Sequence, residues 1–293
     1  MPERDGRMPV RSATLGRRAE VTADVDTRWV LAYAAGLGFD RALCLDDAQP
    51  SGPAVPPTFC TGLEWILSGD ISRATSLGLT PEERIRGVHA FQDSVFHRPF
   101  RAETRVKVAS EIRYMKVTRA GTLIATLITS SDADSGETLC ETWSGSILRD
   151  VACDAEEVGT PPPYLTDPPA PPPADAARAI ITTDYGLPHT YTECARIWNP
   201  IHSERAVALR AGLPDIILHG TATWALAARE VLRAYAGGDV RRLKRLAGRF
   251  RAPVMAGGML AVRHAVMPDG SIAFEVETDG GAVAMNGGRI ELS

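Results

Sequence analysis

The most informative stretch of the chain is residues 189–228, which read HTYTECARIWNPIHSERAVALRAGLPDIILHGTATWALAA. Its last part is rich in alanine, the strongest helix former, and predicts a helix from about Thr221 to Tyr235. Gly220 would lie at the N-terminus of that helix, where a backbone N–H backed by the helix dipole favours negative charge. His202 lies upstream, and an imidazole with a pKa near neutrality exchanges protons with water at cellular pH. The stretch therefore contains a candidate acid/base and a candidate oxyanion donor.

Three short runs in this stretch carry a family resemblance: Asn199-Pro200-Ile201-His202, Ala211-Gly212-Leu213 and Ile217-Leu218-His219-Gly220. Their order and spacing resemble the signature of the MaoC-like, R-specific enoyl-CoA hydratases (hydratase 2). The resemblance is looser over the rest of residues 176–293, and Phe96-His97-Arg98-Pro99-Phe100 is similar to a short turn that precedes a strand in the family. It implies an α+β, tandem (double) hot-dog fold, in which each unit is a central helix wrapped by an antiparallel sheet.

The resemblance also implies an activity. A lyase of this kind, a hydro-lyase, adds water to an α,β-unsaturated acyl thioester or removes it from the 3-hydroxyacyl form. His202 matches the family's catalytic histidine by position, and Gly220 would donate to the thioester oxygen as negative charge develops there. No cofactor is expected, because coenzyme A or phosphopantetheine enters as part of the substrate. The expected partner is an acyl-CoA or an acyl carrier protein thioester.

One position departs from the family pattern. An aspartate lies two residues before the asparagine in the family and shares the water with the histidine, whereas this chain has Ile197 there. Glu193 is one candidate replacement, because it would share a helix face with Ile197 if the stretch is helical. However, Thr190-x-x-Glu193 is also a capping-box pattern. Glu64 on a predicted first-half helix is the other, since some single hot-dog dehydratases pair the histidine with an acid on the neighbouring unit's helix. A solvated surface role is the alternative for Glu64.

Further candidates for the site bind substrate rather than react. They are Asn199, His219, Tyr191, Arg242 and Arg245. Asn199 equally fits a turn-forming role, and His219 equally fits capping or packing. Arg242 and Arg245 belong to a basic run that would suit the phosphates of coenzyme A or an acidic carrier protein, or a solvated connection.

Metal and nucleotide sites are not predicted. The histidines outside the motif are too dispersed for a metal site; they are His89, His97, His189 and His264. The five cysteines are scattered without a CxxC pair, which fits neither a disulfide framework nor zinc and favours a reducing cytoplasm. Neither a GxGxxG nor a GxxxxGK[ST] motif occurs.

The organisation of the chain follows from its prolines. Residues 151–175 contain Pro161-Pro162-Pro163 and Pro171-Pro172-Pro173, which predicts an extended linker. It separates an N-terminal hot-dog domain, residues 21–150, from a C-terminal MaoC-like hot-dog domain, residues 176–293. Residues 1–20, with five arginines and no apolar core, are expected to be a flexible, solvated start.

Secondary-structure patterns agree with two such units. Helices are predicted over Arg28–Ala35 and Leu63–Gly69 in the first half, and alternating residues predict strands over Arg105–Arg113, Leu123–Ser130 and Thr138–Arg149. The second half has predicted strands over Ala179–Thr183, Met259–Ala265, Ile272–Glu277 and Arg289–Leu292.

Composition restricts the partners further. A net charge of −4 argues against nucleic acid or an anionic membrane, and no apolar run approaches the roughly 20 residues that span a bilayer. Two hot-dog units already form a pseudo-dimer, and a homodimer of the chain is compatible with this. Two other functions fit the loss of the aspartate. One is a divergent tailoring enzyme that performs elimination, isomerisation or cyclisation on a polyketide-like substrate, and the other is a non-catalytic thioester-binding or partner subunit.

Overall fold

The computed structural model describes residues 10–74 and 86–293. The α-helices of these residues are α1 (Thr27–Gly36), α2 (Arg41–Cys44), α3 (Cys60–Ala74), α4 (Pro163–Thr166), α5 (Leu187–Cys194), α6 (Arg205–Arg210) and α7 (Gly220–Ala236). The strands are β1 (Arg18–Val25), β2 (Gly87–Phe96), β3 (Thr104–Thr118), β4 (Gly121–Asp132), β5 (Thr138–Arg149), β6 (Glu157–Gly159), β7 (Ala177–Thr182), β8 (Ile217–Leu218), β9 (Leu243–Phe250), β10 (Val254–Met255), β11 (Met259–Val266), β12 (Ile272–Thr278) and β13 (Val283–Leu292).

One large antiparallel sheet contains two repeats of the same strand order. Its order is β1-β3-β4-β5-β2 followed by β9-β13-β12-β11-β7, so the second half mirrors the first. The halves join where β2 pairs with β9, from Phe91 opposite Arg249 to Val95 opposite Arg245. Strand β6 adds to β3, and β8 pairs separately with β10. The chain is therefore two α+β units fused edge to edge, which is the tandem hot-dog arrangement predicted from the sequence.

Each unit packs one long helix against the inner face of its half of the sheet. Helix α7 is almost entirely buried through Ala222–Ala228, because its small alanines let the helix approach the strands closely. Helix α3 buries Cys60, Leu63 and Leu67 in the same way, and Phe59 directly before it is also buried. The side chains of both helices join a single hydrophobic core, so the two units share one interior.

Residues 10–20 include regular structure within the segment predicted to be a flexible start, and residues 1–9 lie outside the described residues. Val10 is fully buried and its N–H donates to the carbonyl of Ala152, while β1 begins at Arg18. The apolar residues of this segment cover a second, smaller cluster formed with Met115 and Ile124.

The proline-rich segment also differs from the extended linker that was predicted. Glu157–Gly159 forms β6, and Pro163 opens α4, where proline is tolerated because the first helical N–H needs no partner. Tyr164 is buried against Phe91 on the outer face of the sheet, and its hydroxyl donates to the carbonyl of Gly287 at 2.7 Å. The segment thus covers the outer face of the junction between the units.

The predicted elements with strong periodicity occur close to their predicted bounds, including α7 and strands β3, β4 and β5. Strands β1, β2 and β9 were missed. Strand β2 contains a bulge between His89 and Phe91, which interrupts the alternation on which strand prediction rests. Among the residues that the structure describes, no helix has the length and apolar character needed to cross a membrane.

An ion pair crosses the junction of the two units. Asp93 on β2 accepts from Nε and Nη2 of Arg245 on β9 at 2.8 and 2.9 Å, and Glu291 lies 3.3 Å from Nη1. The Asp93 side chain is only 5% exposed, so water screens this pair weakly.

Replacing Asp93 by asparagine should lower the free energy of unfolding by about 2 kcal/mol, because Arg245 keeps its charge in a half-buried position without its main partner. Urea denaturation of wild type and Asp93→Asn measures this difference. Asp134→Asn is the matched control, since Asp134 pairs with Arg105 in the open solvent and should contribute less than about 0.5 kcal/mol. Equal losses in the two variants would contradict a special role for the junction pair.

Candidate functional site

The residues of the quoted stretch fold over the start of α7. Helix α5 is followed by a short 3-10 turn, Pro200–His202, then by α6 and β8, and the chain enters α7 at Gly220. Asn199 precedes the turn, and its side-chain oxygen accepts from the N–H of Ile201 at 3.4 Å. Asn199 therefore fixes the turn that presents His202.

His202 is buried at this turn in a defined tautomer. Its Nδ1 donates to the carbonyl of Ile217 at 2.8 Å, so the lone pair of the neutral ring is on Nε2. Burial lowers the pKa of His202 to about 4, although the hydrogen bond to Ile217 raises it slightly. Nε2 of His202 is therefore a proton acceptor across the whole neutral range.

His219 stacks on His202. The ring centroids are 3.7 Å apart with an angle of 24° between the planes. Nε2 of His219 lies 3.3 Å from the carbonyl oxygen of Ile197 and 3.4 Å from Oγ1 of Thr192, while its Nδ1 is buried without a hydrogen-bond partner in the described part of the chain. Burial lowers the pKa of His219 well below its usual range, and the neighbouring His202 lowers it further. Burial therefore favours the neutral form of both rings, and the stacked His202 adds to this for His219.

Gly220 is the first residue of α7 and lies directly after His219. A Cβ at position 220 would lie 2.9 Å from Cδ1 of Phe250, so only glycine fits this close approach to β9. The first N–H groups of a helix have no partner within the helix, and the dipole favours negative charge there. The site thus combines a neutral imidazole with a helix N-terminus that favours negative charge.

Tyr191 connects this site to the first unit. Its hydroxyl lies 3.1 Å from Oγ1 of Thr221 on α7 and 3.3 Å from Oγ1 of Thr61 on α3. Its ring makes an edge contact with His219 at 4.9 Å, and burial raises the pKa of the phenol well above its usual range. Tyr191 is therefore a buried bridge between the N-terminal ends of the two central helices.

Glu64 is buried on α3, three residues after Thr61 and hence on the same helix face. Its Oε2 accepts from Nε2 of Gln92 at 2.9 Å. Burial raises the pKa of Glu64 to about 7, and hydrogen bonds from Thr142, Gln92 and Cys60 limit the rise. The carboxyl group is therefore populated in its neutral, proton-donating form near pH 7. The solvated alternative for Glu64 is wrong.

Glu193 has a different environment. It is exposed on α5, and that helix begins at Leu187 after Gly186, so Thr190 is inside the helix and the capping-box interpretation is wrong. The helix ends at Cys194, and Arg196 then adopts a φ of 57°, which breaks the helical relation between Glu193 and Ile197. Ile197 itself is buried in the core. Glu193 does not join the buried groups around His202.

The two arginines predicted to bind substrate are engaged elsewhere. Arg242 donates to the carbonyl oxygen of Ser293 at 2.9 and 2.7 Å, and Arg245 pairs with Asp93 on the outer face of the sheet. The structure does not bring either residue to His202.

The remaining histidines lie apart from one another. Their hydrogen-bond partners are Ser144 for His89, Glu141 for His97, Ser203 for His189 and Tyr235 for His264. The cysteines are free thiols. Ligand atoms of Cys60, Glu64 and Cys140 lie within 4.8 Å of one another, but burial raises the pKa of the Cys60 thiol well above its usual range, which disfavours the thiolate that a metal needs.

Several residues of this region were not singled out by the sequence: Thr61, Gln92, Thr221, Trp224 and Phe250. Only the position of Thr61, one turn before Glu64, offered a signal. Gln92 is brought to this region only by the tertiary pairing of β2 with β9.

Comparison with known proteins identifies a family for the C-terminal part of the chain. A family model described as a MaoC like domain matches residues 189–282. Residues 189–282 form a MaoC-like domain. The 3-hydroxyacyl-thioester dehydratase Y of Mycobacterium tuberculosis is 26% identical over 259 residues, 86% of each chain. The peroxisomal enoyl-CoA hydratase 2 of Arabidopsis thaliana is 36% identical over 63 residues, 22% of this chain and 20% of that protein. Other curated relatives are much longer, and the chain spans 5% and 9% of two of them.

Solved structures match over nearly the whole chain. A MaoC-like dehydratase from Phytophthora capsici has a TM-score of 0.79 at 21% identity, with 95% of this chain and 96% of that chain covered. A Mycobacterium tuberculosis protein described as a double hotdog fold has a TM-score of 0.61 at 15% identity, with 95% and 96% covered. The fold is the double hot-dog fold.

The neutral state of His202 predicts a pH dependence of stability. Folding lowers its pKa from 6.5 to about 4, so the unfolded chain binds the proton more tightly. The stability that comes from the neutral ring is fully present above pH 6.5 and is lost as the pH falls toward 4. Between pH 6 and 5 the fall in unfolding free energy should be shallower in His202→Gln than in wild type by roughly 1 kcal/mol. Urea denaturation at both pH values measures this, and identical slopes would contradict a neutral His202.

Proposed function

We propose that the chain adds water to an α,β-unsaturated acyl thioester or removes it from the corresponding 3-hydroxyacyl thioester. The observation that carries this proposal is the buried, neutral His202, whose Nε2 lone pair is available beside the N-terminus of α7. The names of the two relatives, a 3-hydroxyacyl-thioester dehydratase and an enoyl-CoA hydratase, support the same reaction class.

His202 acts as the base in the hydration direction. Because Ile217 holds the proton on Nδ1, Nε2 accepts a proton from water as the water oxygen bonds to C3 of the thioester. The C2–C3 π electrons move toward the carbonyl, and the thioester oxygen gains negative charge. The reverse direction uses the imidazolium to protonate the leaving hydroxyl.

Gly220 stabilises that oxygen. Its N–H is among the first donors of α7, which have no partner within the helix, and the low-dielectric surroundings strengthen a hydrogen bond to a developing oxyanion. Phe250 packs against the glycine and excludes water from this side.

Glu64 supplies the second proton-transfer group that Ile197 cannot provide. Its neutral carboxyl group donates the proton that completes C2, and solvent then returns a proton from His202 to the carboxylate. Glu64 is linked to the histidine pair through its own helix: Thr61, one turn before Glu64 on α3, contacts Tyr191, and Tyr191 contacts His219. Glu64 therefore replaces the acid of the motif from the other unit.

The reaction balances with water and the thioester alone, so coenzyme A or phosphopantetheine is needed only as the carrier of the acyl group. The pairing of Arg245 with Asp93 leaves recognition of the carrier phosphates to other cationic side chains. The proposal therefore covers both kinds of substrate, an acyl-CoA thioester and a thioester of an acyl carrier protein.

Turnover of trans-2-enoyl-CoA thioesters tests the assignment of the two groups. His202→Ala and Glu64→Gln should each lower kcat/KM by about 10³-fold, because each removes one proton-transfer step. Glu193→Gln is the control, since that side chain is exposed, and should retain wild-type kcat/KM within about twofold. Full activity of Glu64→Gln would remove Glu64 from the mechanism. No turnover by wild type would favour the tailoring or non-catalytic alternatives.

The pH profile of hydration should be bell-shaped. Hydration needs His202 deprotonated, which holds above about pH 4, and Glu64 protonated, which holds below about pH 7. The rate constant kcat/KM should therefore rise through the acid limb and fall above neutrality. In Glu64→Gln the residual activity should lose the limb near pH 7. An alkaline limb that persists in this variant would assign it to another group.

A further inference from the structure

We infer that the junction of the two units, where β2 pairs with β9, recognises an uncharged oxygen on the acyl chain of the substrate. This oxygen lies beyond the carbons that react, and the Nε1–H of Trp224 donates a hydrogen bond to it. This inference rests on the proposed function, because it names the acyl substrate of that site. The expected substrate class is an acyl thioester with a hydroxyl or carbonyl group further along its chain, rather than a simple alkyl chain.

The indole N–H of Trp224 is buried without a partner in the described part of the chain. Trp224 is 0% exposed on α7, four residues after Gly220, and its indole Nε1 has no hydrogen-bond partner among the residues in the described ranges. Buried N–H groups without a partner are rare in folded proteins because desolvation of the donor is costly. An acceptor supplied by a ligand would satisfy it.

The pyrrole edge of Trp224 faces the junction of the units. A Cβ at Gly248 would lie 3.7 Å from Cδ1 of Trp224, the ring atom bonded to Nε1, and 2.8 Å from Cε of Met285. Gly248 on β9 pairs with Gln92 on β2, so the indole edge lies over the β2–β9 ladder. Gln92, the partner of Glu64, thus lies on the strand paired with the one beneath the indole edge.

The inner face of the first unit is polar at this point. Gln92 is 1% exposed, and its Nε2 donates to Glu64 at 2.9 Å and contacts Oγ of Ser94 at 3.5 Å. Ser94 in turn lies 2.8 Å from Oγ1 of Thr142. Under α7 the corresponding inner face is apolar, formed by residues such as Phe274. An acyl chain that enters the first unit therefore meets hydrogen-bonding groups instead of an alkyl pocket.

The side chains at the junction favour an uncharged oxygen on the substrate over a carboxylate. Gln92, Ser94, Thr142 and Trp224 are neutral, and Glu64 is an acid whose ionised form would repel a substrate carboxylate. The four residue steps from Gly220 to Trp224 span about 6 Å of helix. A thioester carbonyl at Gly220 thus places the recognised oxygen several bonds further along the chain.

Binding of saturated acyl-CoA thioesters tests this inference without turnover, because they lack the double bond that reacts. Isothermal titration should compare hexanoyl-CoA, its 4-, 5- and 6-hydroxy derivatives, and adipoyl-CoA. Wild type should bind one hydroxy derivative about 10-fold more tightly than hexanoyl-CoA. Trp224→Phe keeps the ring but removes the N–H, and should reduce that preference to within about twofold while hexanoyl-CoA binding is retained.

Gln92→Met is a second variant, in which a side chain of similar size makes the inner face of the first unit less polar and Trp224 is unchanged. It should also reduce the hydroxyl preference, so the test stands even if Trp224→Phe fails to fold. Equal binding of hexanoyl-CoA and all hydroxy derivatives by wild type, with hydration of trans-2-enoyl-CoA intact, would overturn this inference alone. Tightest binding of adipoyl-CoA would overturn the assignment to an uncharged oxygen. Failure to bind any acyl-CoA, together with no hydration, would overturn the proposed function and this inference with it.

Discussion

The pairing of β2 with β9 is the constraint on which the rest of the structure depends. Five residue pairs, from Phe91 opposite Arg249 to Val95 opposite Arg245, join two antiparallel sheets into one, and the Asp93–Arg245 ion pair reinforces the junction on the outer face. Because each central helix is fixed to its own half of the sheet, this ladder also fixes α3 relative to α7. The contact of Thr61 with Tyr191 and the shared hydrophobic core are consequences of that placement.

Burial sets the charge states of the two groups that the proposed mechanism uses for proton transfer. Water stabilises an imidazolium and a carboxylate, whereas the interior favours their neutral forms, so the pKa of His202 falls to about 4 and that of Glu64 rises to about 7. The resting pair is then a neutral base and a neutral acid, which is the combination that the proposed hydration requires. In that proposal charge appears only during the reaction, and the start of α7 and the surrounding polar groups stabilise it with fixed dipoles.

The sequence predicted the parts of the fold that depend on local pattern. Helix α7 follows from its alanines, and β3, β4 and β5 follow from alternation that continues over many residues. Strand β2 did not, because its bulge and its buried polar residues, Gln92 and Ser94, disrupt the alternation. The same reason explains which residues of the candidate site could be predicted from the sequence. His202 and Gly220 lie within recognisable motifs, whereas the partners of Glu64 and the indole edge of Trp224 meet only when distant strands pair.

The position of Ile197 shows how the site differs from its motif. At Arg196 the backbone turns with a φ of 57°, the guanidinium lies 4.0 Å over the ring of Trp29, and Ile197 enters the core. A carboxylate at this position would be buried among apolar side chains, where its desolvation is unfavourable. Locating the acid on α3 instead separates the base and the acid between the two units. In the proposed mechanism neither unit then contains a complete proton-transfer pair, so the proposed chemistry depends on the same β2–β9 junction that holds the sheet together.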